Sequence, residues 1–291
     1  MATLARPAGR TRARTRTRPL ALKRVALLLT GLFFTLWTLG PIYWIVVTSL
    51  KTELQVYRQP TLVPTAVTFK NYQTVLFHSN FLLYIRNSLT VALVTTALSL
   101  VFGSICAYAI ARLRFRGRRL VARAIVISYL APGGLLFISL FELLTELHLT
   151  DKLAGLMVSY LSFTLPFCTW LMIGYFRTIP AELEEAALVD GCTRLRALIY
   201  VIMPLTLPAL VVVALYSFTQ AWNEFLYALV FISSDSQKTF TVGLIGLIQG
   251  DTLPWGPMMA AASLGMIPPI IIYVLAQRWV VSGLAAGAVK G

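Results

Sequence analysis

Uncharged apolar runs alternate with short charged stretches along most of the chain. A helix needs about 20 residues to cross a bilayer, and a segment in lipid must satisfy its own backbone hydrogen bonds. The pattern therefore predicts an all-α membrane protein with six transmembrane helices. Their expected positions are 25–50, 87–111, 124–141, 153–176, 205–232 and 258–277.

The composition supports a membrane protein without a separate soluble domain. Hydrophobic residues make up 58% of the 291 residues and charged residues only 12%, which is outside the range of soluble domains. We expect a basic tail at 1–24, a transmembrane domain at 25–280 that includes a cytoplasmic loop at 178–204, and a C-terminal tail at 281–291.

Basic residues are distributed unevenly between the two sides of the predicted bundle. One side holds 19 of the 25 lysines and arginines, so the positive-inside rule predicts that both termini are cytoplasmic. The arginine-rich tail is also compatible with RNA binding or with an organellar transit peptide. Beside a first span, topology and anionic lipid explain it better, and no nucleic-acid partner is predicted.

Residues with catalytic or metal-binding chemistry are few. Cys106, Cys168 and Cys192 lie in predicted spans or in the cytoplasmic loop, with a spacing that suits neither zinc nor a redox pair. His78 and His148 are far apart in the sequence, and no grouping of His, Asp and Ser suggests a nucleophile. The sequence predicts no catalytic group, no metal site and no cofactor bound by this chain.

Helix-breaking residues interrupt four of the predicted spans. They are Pro132-Gly133-Gly134, Pro166, Pro208 and Pro268-Pro269. Such breaks are tolerated where neighbouring helices or a water-filled cavity satisfy the freed backbone groups. Ordinary kinking is one explanation. Because four of six spans are affected, we favour a bundle around a cavity that changes shape.

A charged segment between two apolar runs holds four of the eleven acids. Pro180 suits a first helical turn and Gly191 suits a helix end, which predicts a helix of about three turns. The residues that then share one face are Leu183, Ala186, Ala187 and Asp190. The two alanines make this face flat enough for another surface to approach. A helix that only joins two spans would explain the acids but not the apolar alanine patch.

The same segment contains a spaced motif. Glu185-Ala186-Ala187 is followed after three residues by Gly191, and nine residues later by Val201-Ile202-Met203-Pro204. This resembles the signature loop of permease subunits of bacterial ATP-binding-cassette importers, with Val201 and Met203 as mild departures. Motifs at 69–72, 239–243 and 255–256 and the terminus at 276–291 are similar to the shorter, six-span permease of maltose-type carbohydrate importers.

The resemblance implies one of two membrane subunits of an ATP-driven, binding-protein-dependent sugar importer in the cell membrane. Its implied partners are a second permease subunit, a cytoplasmic ATPase dimer, an extracytoplasmic sugar-binding protein and membrane lipids. The chain has no Gly-x4-Gly-Lys-Ser/Thr phosphate loop, so ATP and Mg²⁺ would be used by the ATPase. The residues implied to contact it are Glu185, Ala186, Ala187, Asp190, Gly191 and Pro204 in the loop and Gly283, Gly287, Lys290 and Gly291 in an extended tail.

Polar residues lie deep in the fifth predicted span. Ionisable groups in a membrane usually face the bundle interior or a water-filled cavity, and sugars are bound by hydrogen-bonding groups beside aromatic faces. The predicted substrate path contains Trp222, Asn223, Glu224 and Tyr227. A structural clamp explains Glu224 equally well. Hydroxyls of the second span are assigned to helix contacts, at Thr95, Thr96, Ser99 and Ser104.

Two other classes of function are compatible with these residues. An autonomous ion-coupled transporter would use Glu224 as a proton or cation site and would accumulate substrate without other proteins. A membrane scaffold would transport nothing and would tolerate substitution of Glu224 and of the prolines in the spans. The loop motif favours the importer subunit over both.

Overall fold

The computed structural model describes residues 18–58, 61–130, 133–248 and 253–288, and their side chains between 23 and 279. Most of these residues are helical. In chain order the helices are α1 (Arg18–Ser49), α2 (Glu53–Tyr57), α3 (Lys70–Phe77), α4 (Phe81–Arg112), α5 (Arg118–Leu130), α6 (Gly133–Glu146), α7 (Leu153–Thr178), α8 (Ala181–Val189), α9 (Arg194–Ala197), α10 (Met203–Leu205), α11 (Leu207–Asn223), α12 (Leu226–Phe231), α13 (Phe240–Ile245) and α14 (Trp255–Ala288).

Four of these helices are each long and apolar enough to cross a membrane, namely α1, α4, α7 and α14. Two bent pairs are long enough when each is taken as one span. Helices α5 and α6 meet at 102°, and the segment Arg194–Leu205 meets α11 at 85°. Counted in this way, the described chain has the six spans that the sequence predicts. The side on which the termini lie stays a prediction.

Two of the four predicted proline breaks are wrong. Pro166 lies inside the continuous helix α7, and Pro268 and Pro269 lie inside α14. The other two coincide with bends. Pro208 lies in the first turn of α11, directly after the 85° bend, where its missing N–H costs no intrahelical bond, and the bend between α5 and α6 lies where the sequence places Pro132-Gly133-Gly134. Proline alone does not break a membrane helix, because neighbouring helices can satisfy the freed carbonyl groups.

Helices α4, α7 and α11 form the centre of the bundle and pack through small residues. A Cβ atom on Gly103 of α4 would lie 3.1 Å from the Cβ of Cys168 in α7. The Ser99 hydroxyl lies 2.8 Å from that of Thr164, and the Cys168 thiol lies 3.0 Å from the Ser217 hydroxyl of α11. Small residues allow this approach, and hydrogen bonds between helices add to it.

The four hydroxyl-bearing residues of α4 that the sequence assigns to helix contacts all lie inside the bundle. Ser99 and Thr95 have no exposed surface, and Thr96 and Ser104 are also buried. Helix α1 is peripheral by comparison, since none of the described residues in its most apolar stretch is buried. It packs along α14 and leaves the rest of its apolar surface free for lipid.

Two aspartates hold loops to the ends of the long helices at one end of the bundle. Asp235 accepts hydrogen bonds from the Tyr84 hydroxyl (2.7 Å), the Lys238 ammonium group (2.9 Å) and the Asn80 amide (2.7 Å). These donors, Tyr84 foremost, lower the pKa of Asp235 to about 2. The loop after α12 is thereby fastened to the N-terminal end of α4.

Asp151 fastens the same loop to the start of α7. Its carboxylate accepts hydrogen bonds from the Ser234 hydroxyl and from the backbone N–H groups of Ser233 (2.9 Å) and Ser234 (2.8 Å). The bonds from Ser234 are the main cause of its lowered pKa. Helices α4, α7 and α12 are thus joined at one end of the bundle by hydrogen bonds to charged groups.

We expect Gly103→Leu to push α4 away from α7, because any side chain at this position meets the Cβ of Cys168. Overpacking of this kind costs about 1–3 kcal/mol. Thermal unfolding of the purified protein in detergent should show a lower melting temperature. Gly174→Leu is the matched control, since a Cβ there meets nothing within 4 Å. Equal melting temperatures for the two variants would contradict the close α4–α7 contact.

A second expectation concerns pH. Because the pKa of folded Asp235 lies near 2, its contacts stabilise the fold above the ordinary aspartate pKa of about 3.9, and the contribution is lost as the pH falls towards 2. Asp235→Asn should lower the melting temperature at pH 7, and the difference from the wild type should shrink between pH 4 and pH 2. Solvent screening keeps the effect small, because the carboxylate is half exposed. If the difference in melting temperature did not depend on pH, the loss of stability would come from packing and not from the charge of Asp235.

Candidate functional site

The charged segment forms the helix α8, with acidic side chains in its first turn, where the helix dipole favours them. Its end has a Schellman geometry. Gly191 adopts a φ of +86°, a conformation that suits glycine. Its N–H donates to the Leu188 carbonyl (3.1 Å), and the Cys192 N–H donates to the Ala187 carbonyl (3.0 Å). The predicted helix end at Gly191 is confirmed.

A buried carboxylate attaches α8 to the end of α4. Glu184 accepts a hydrogen bond of 2.5 Å from the Tyr108 hydroxyl. Its oxygens lie 3.5 Å from Arg112 Nε and 3.7 Å from Arg194 Nη1. The side chains of Glu184 and Arg112 are only 8% and 11% exposed, whereas that of Arg194 is 59% exposed. Arg112 also donates to the Ile179 carbonyl at 2.7 Å, which fixes the chain just before the helix.

The energetics make this cluster a strong mechanical link. A buried ion pair adds little net stability, but removal of one partner leaves an uncompensated buried charge and costs about 3–5 kcal/mol. A movement of α8 that left the Arg112 guanidinium buried without Glu184 would carry the same cost. In the sequence, Glu184 is only one of the four acids of the charged segment, and its role as an anchor was not predicted. The arginines at the end of α4 were the available signal.

The exposed side of α8 differs from the predicted face. Ala187 is only 8% exposed, and α8 packs against the π-helical segment Leu198–Ile202. The prediction that Ala186 and Ala187 share one open face is therefore wrong. The cause is the Glu184 anchor, which turns the neighbouring Ala187 side towards the bundle. The residues that α8 and its end leave exposed include Glu182, Leu183, Glu185, Ala186, Val189 and Asp190.

Pro204 lies at the bend between this loop and α11. It has no N–H to donate to the carbonyl four residues earlier, and the turn before it is the wide π-helical segment Leu198–Ile202. Leu198 and Ile202 are buried in a cluster with residues of α4 and α7. The chain then turns by 85° into α11, so the loop and the fifth span meet at an angle close to perpendicular.

The C-terminal tail is not extended where the structure describes it. Gly283 and Gly287 lie within α14, which continues to Ala288. The alanines around these glycines favour a helix, and they outweigh the conformational freedom on which the extended prediction rested. Lys290 and Gly291 lie outside the described residues.

The Glu224 side chain is hydrogen-bonded within the protein. Its carboxylate accepts hydrogen bonds from the Tyr160 hydroxyl (2.7 Å) and from the backbone N–H groups of Tyr227 (2.8 Å) and Ala228 (3.1 Å). These N–H groups belong to the first turn of α12 and have no partner within that helix, so Glu224 caps it. The Thr241 hydroxyl donates to the Glu224 carbonyl at 2.8 Å. The geometry matches the structural clamp.

The other predicted path residues separate into buried and exposed positions. Trp222 is 2% exposed and stacks between Phe218 and Phe240, with ring centroids at 5.7 and 4.8 Å. Tyr227 is also buried, and its hydroxyl donates to the Gly133 carbonyl at 2.8 Å. Asn223 is exposed. A role in the substrate path stays a prediction, and of the four residues only Asn223 has the exposure that the role needs.

Comparison with known proteins agrees with this arrangement. A family model described as "Binding-protein-dependent transport system inner membrane component" matches residues 99–285. The chain is 39% identical over 267 residues to the sulfoquinovosyl glycerol transport system permease protein SmoH of Agrobacterium fabrum, covering 91% of each chain. It is 35% identical to the trehalose/maltose transport system permease protein MalG of Thermococcus litoralis, covering 93% of this chain and 98% of that relative.

A solved structure resembles the fold over most of its length. It is the crystal structure of a bacterial ABC transporter involved in the import of the acidic polysaccharide alginate. The TM-score is 0.78 at 25% identity, and the match covers 91% of this chain and 99% of that chain. The match extends well beyond the loop that carries the sequence motif.

We expect Glu184→Gln to loosen α8, because the amide no longer balances the charge of the buried Arg112 guanidinium. Limited proteolysis with trypsin, which cleaves after the exposed Arg194 and Arg196, should then proceed faster in membranes opened to expose this loop. Glu185→Gln is the matched control, since Glu185 is an exposed neighbour in the same helix. The role of the anchor would be contradicted if both variants were cleaved at the wild-type rate.

Proposed function

The chain belongs to the family of binding-protein-dependent transport system inner membrane components, and on this basis we propose how it couples transport to ATP. It is a multi-pass permease subunit of the cell membrane. In the proposal it forms half of the path of a sugar importer, with a second permease subunit forming the other half. A cytoplasmic ATPase dimer hydrolyses ATP with Mg²⁺, and an extracytoplasmic binding protein delivers the sugar. The chain itself is not catalytic.

The observation that carries the proposal is the Glu184 anchor. A helix that serves as a contact for an ATPase must present one side outward and be fastened to the spans on the other. Helix α8 meets both conditions, because Leu183 and Val189 are exposed while Glu184 is held by Arg112 and Tyr108 of α4. A helix that only connected two spans would not need a buried ion pair.

The loop offers two routes for movement into the bundle. One runs from α8 through Glu184 and Arg112 into α4, which packs extensively on α7. The other runs through the π-helical segment and the bend at Pro204 into α11. Closure of the ATPase dimer would displace α8 and change the angle between these spans. In the proposal this switches the path from inward-open to outward-open.

A carbohydrate is the substrate class that the comparisons support. The names of the two relatives given above include sulfoquinovosyl glycerol and trehalose/maltose. The solved structure is that of a transporter involved in the import of the polysaccharide alginate. An ion-coupled carrier would need a titrating group in the path. Glu224 is already bound by three donors that cap α12 and join it to α7, so the geometry gives that alternative no support.

We expect Ala186→Arg to uncouple the complex, because a long charged side chain on the exposed side of α8 prevents a close fit with another protein. The measurement is ATP hydrolysis stimulated by the loaded binding protein, in the assembled complex in vesicles. Stimulation should fall at least tenfold while the subunit stays in the membrane. Ala186→Ser, which adds one oxygen atom, should keep most of the stimulation.

Two results would count against the proposal. Normal stimulation of ATP hydrolysis in Ala186→Arg would show that the exposed side of α8 does not contact the ATPase. The wild-type chain alone could also accumulate a saccharide in vesicles with an ion gradient and without ATPase. That result would show that the protein is an autonomous carrier and not an importer subunit.

A further inference from the structure

A stripe of polar residues runs along α11 at membrane depth. Tyr216, Gln220 and Asn223 are spaced by four and three residues, so they lie on one face of the helix. Gln220 and Asn223 are exposed in the chain, and the Asn223 amide has no hydrogen-bond partner among the described residues. Polar groups that face hydrocarbon are costly. This face of α11 therefore meets water, a solute or another protein, and not lipid.

Aromatic rings from two other helices border the stripe. Phe167 of α7 stacks on Tyr216 with ring centroids 3.7 Å apart. Tyr129 of α5 and Trp170 of α7 lie at 5.5 and 6.1 Å from Phe167. Tyr129 and Trp170 remain 39% and 50% exposed, so their surfaces are available to a ligand.

The cluster lies near the middle of the bundle. Tyr216 and Phe167 are close to the midpoints of α11 and α7. Tyr129 precedes the 102° bend between α5 and α6. In secondary transporters, substrate sites lie near the bilayer midplane and are built beside interrupted helices, since a polar site needs backbone that lines a cavity. The depth and the adjacent bend both agree with a site in the transport path.

We propose that Tyr129, Trp170, Tyr216, Gln220 and Asn223 form a subsite for a neutral saccharide on this subunit. Exposed aromatic rings suit the C–H faces of a sugar, and amide and phenol groups suit its hydroxyls. None of the five side chains is a permanent charge, which favours a neutral saccharide over an acidic one. The inference rests on the proposed function, and it adds a direct contact with substrate by this chain.

The test uses the complete complex in vesicles, with the binding protein, both permeases and the ATPase. Initial uptake rates are measured for two neutral saccharides of different length and one acidic saccharide. Gln220→Ala and Trp170→Ala should lower uptake of the neutral saccharides about fivefold or more, as expected for loss of a ligand contact. They should also change the ratio between the two neutral rates, which a general structural defect does not do.

The matched control is Thr219→Val. Thr219 neighbours Gln220 but bonds to the Leu215 carbonyl (2.7 Å) and the Tyr273 hydroxyl (3.0 Å), so it lies outside the stripe. Its uptake ratio should equal that of the wild type. Co-purification of the second permease and the ATPase, and ATP hydrolysis stimulated by the binding protein, show whether each variant assembles.

Each other outcome overturns the inference in a different way. Unchanged uptake in both alanine variants would show that these residues do not form a saccharide subsite. Loss of the second permease on purification would make the stripe a contact between the two permeases. An effect on the acidic saccharide alone would contradict the neutral class. A wild-type complex that takes up none of the saccharides would reject the proposed function, and this inference with it.

Discussion

The hydrocarbon core of a membrane offers no water to polar groups, and most features of this chain follow from that constraint. Backbone groups are satisfied within helices, so every predicted span is helical. Where a helix is interrupted, another group must replace the lost bonds. Between α11 and α12 this group is Glu224, whose carboxylate accepts hydrogen bonds from the free backbone N–H groups of Tyr227 and Ala228. A residue that looks ionisable and functional in the sequence is thereby used to end one helix and begin another.

The same constraint separates structural polar groups from those available to a ligand. Ser99 pairs with Thr164, and Cys168 pairs with Ser217, so these groups are satisfied within the bundle. Asn223, although next to Glu224, remains exposed. Polar residues of similar depth therefore have different uses, and the difference depends on whether a neighbouring helix supplies a partner.

The two ends of the bundle are held together in different ways. At the end that holds the loop after α12, Asp151 and Asp235 accept hydrogen bonds from loops and helix ends, and both carboxylates keep part of their surface in contact with solvent. At the other end, Glu184 is buried with Arg112. Breaking exposed contacts costs little, whereas leaving one member of a buried pair without its partner costs several kcal/mol. The attachment of α8 to α4 is therefore the firmer of the two, while the loops at the opposite end mainly keep the helix ends in register.

The sequence by itself determined the number and approximate places of the spans, the helix end at Gly191 and the family resemblance of the loop. These depend on local chemistry, namely the length of apolar runs and the preference of glycine for positive φ. Tertiary structure decided which side of α8 is exposed, because the Glu184 anchor joins residues that are about 70 positions apart, Arg112 and Glu184. It also decided that Trp222 and Tyr227 are buried, and that the rings of Tyr129, Trp170 and Tyr216 all border Phe167. Packing between distant helices sets these contacts, and periodicity within one helix does not contain that information.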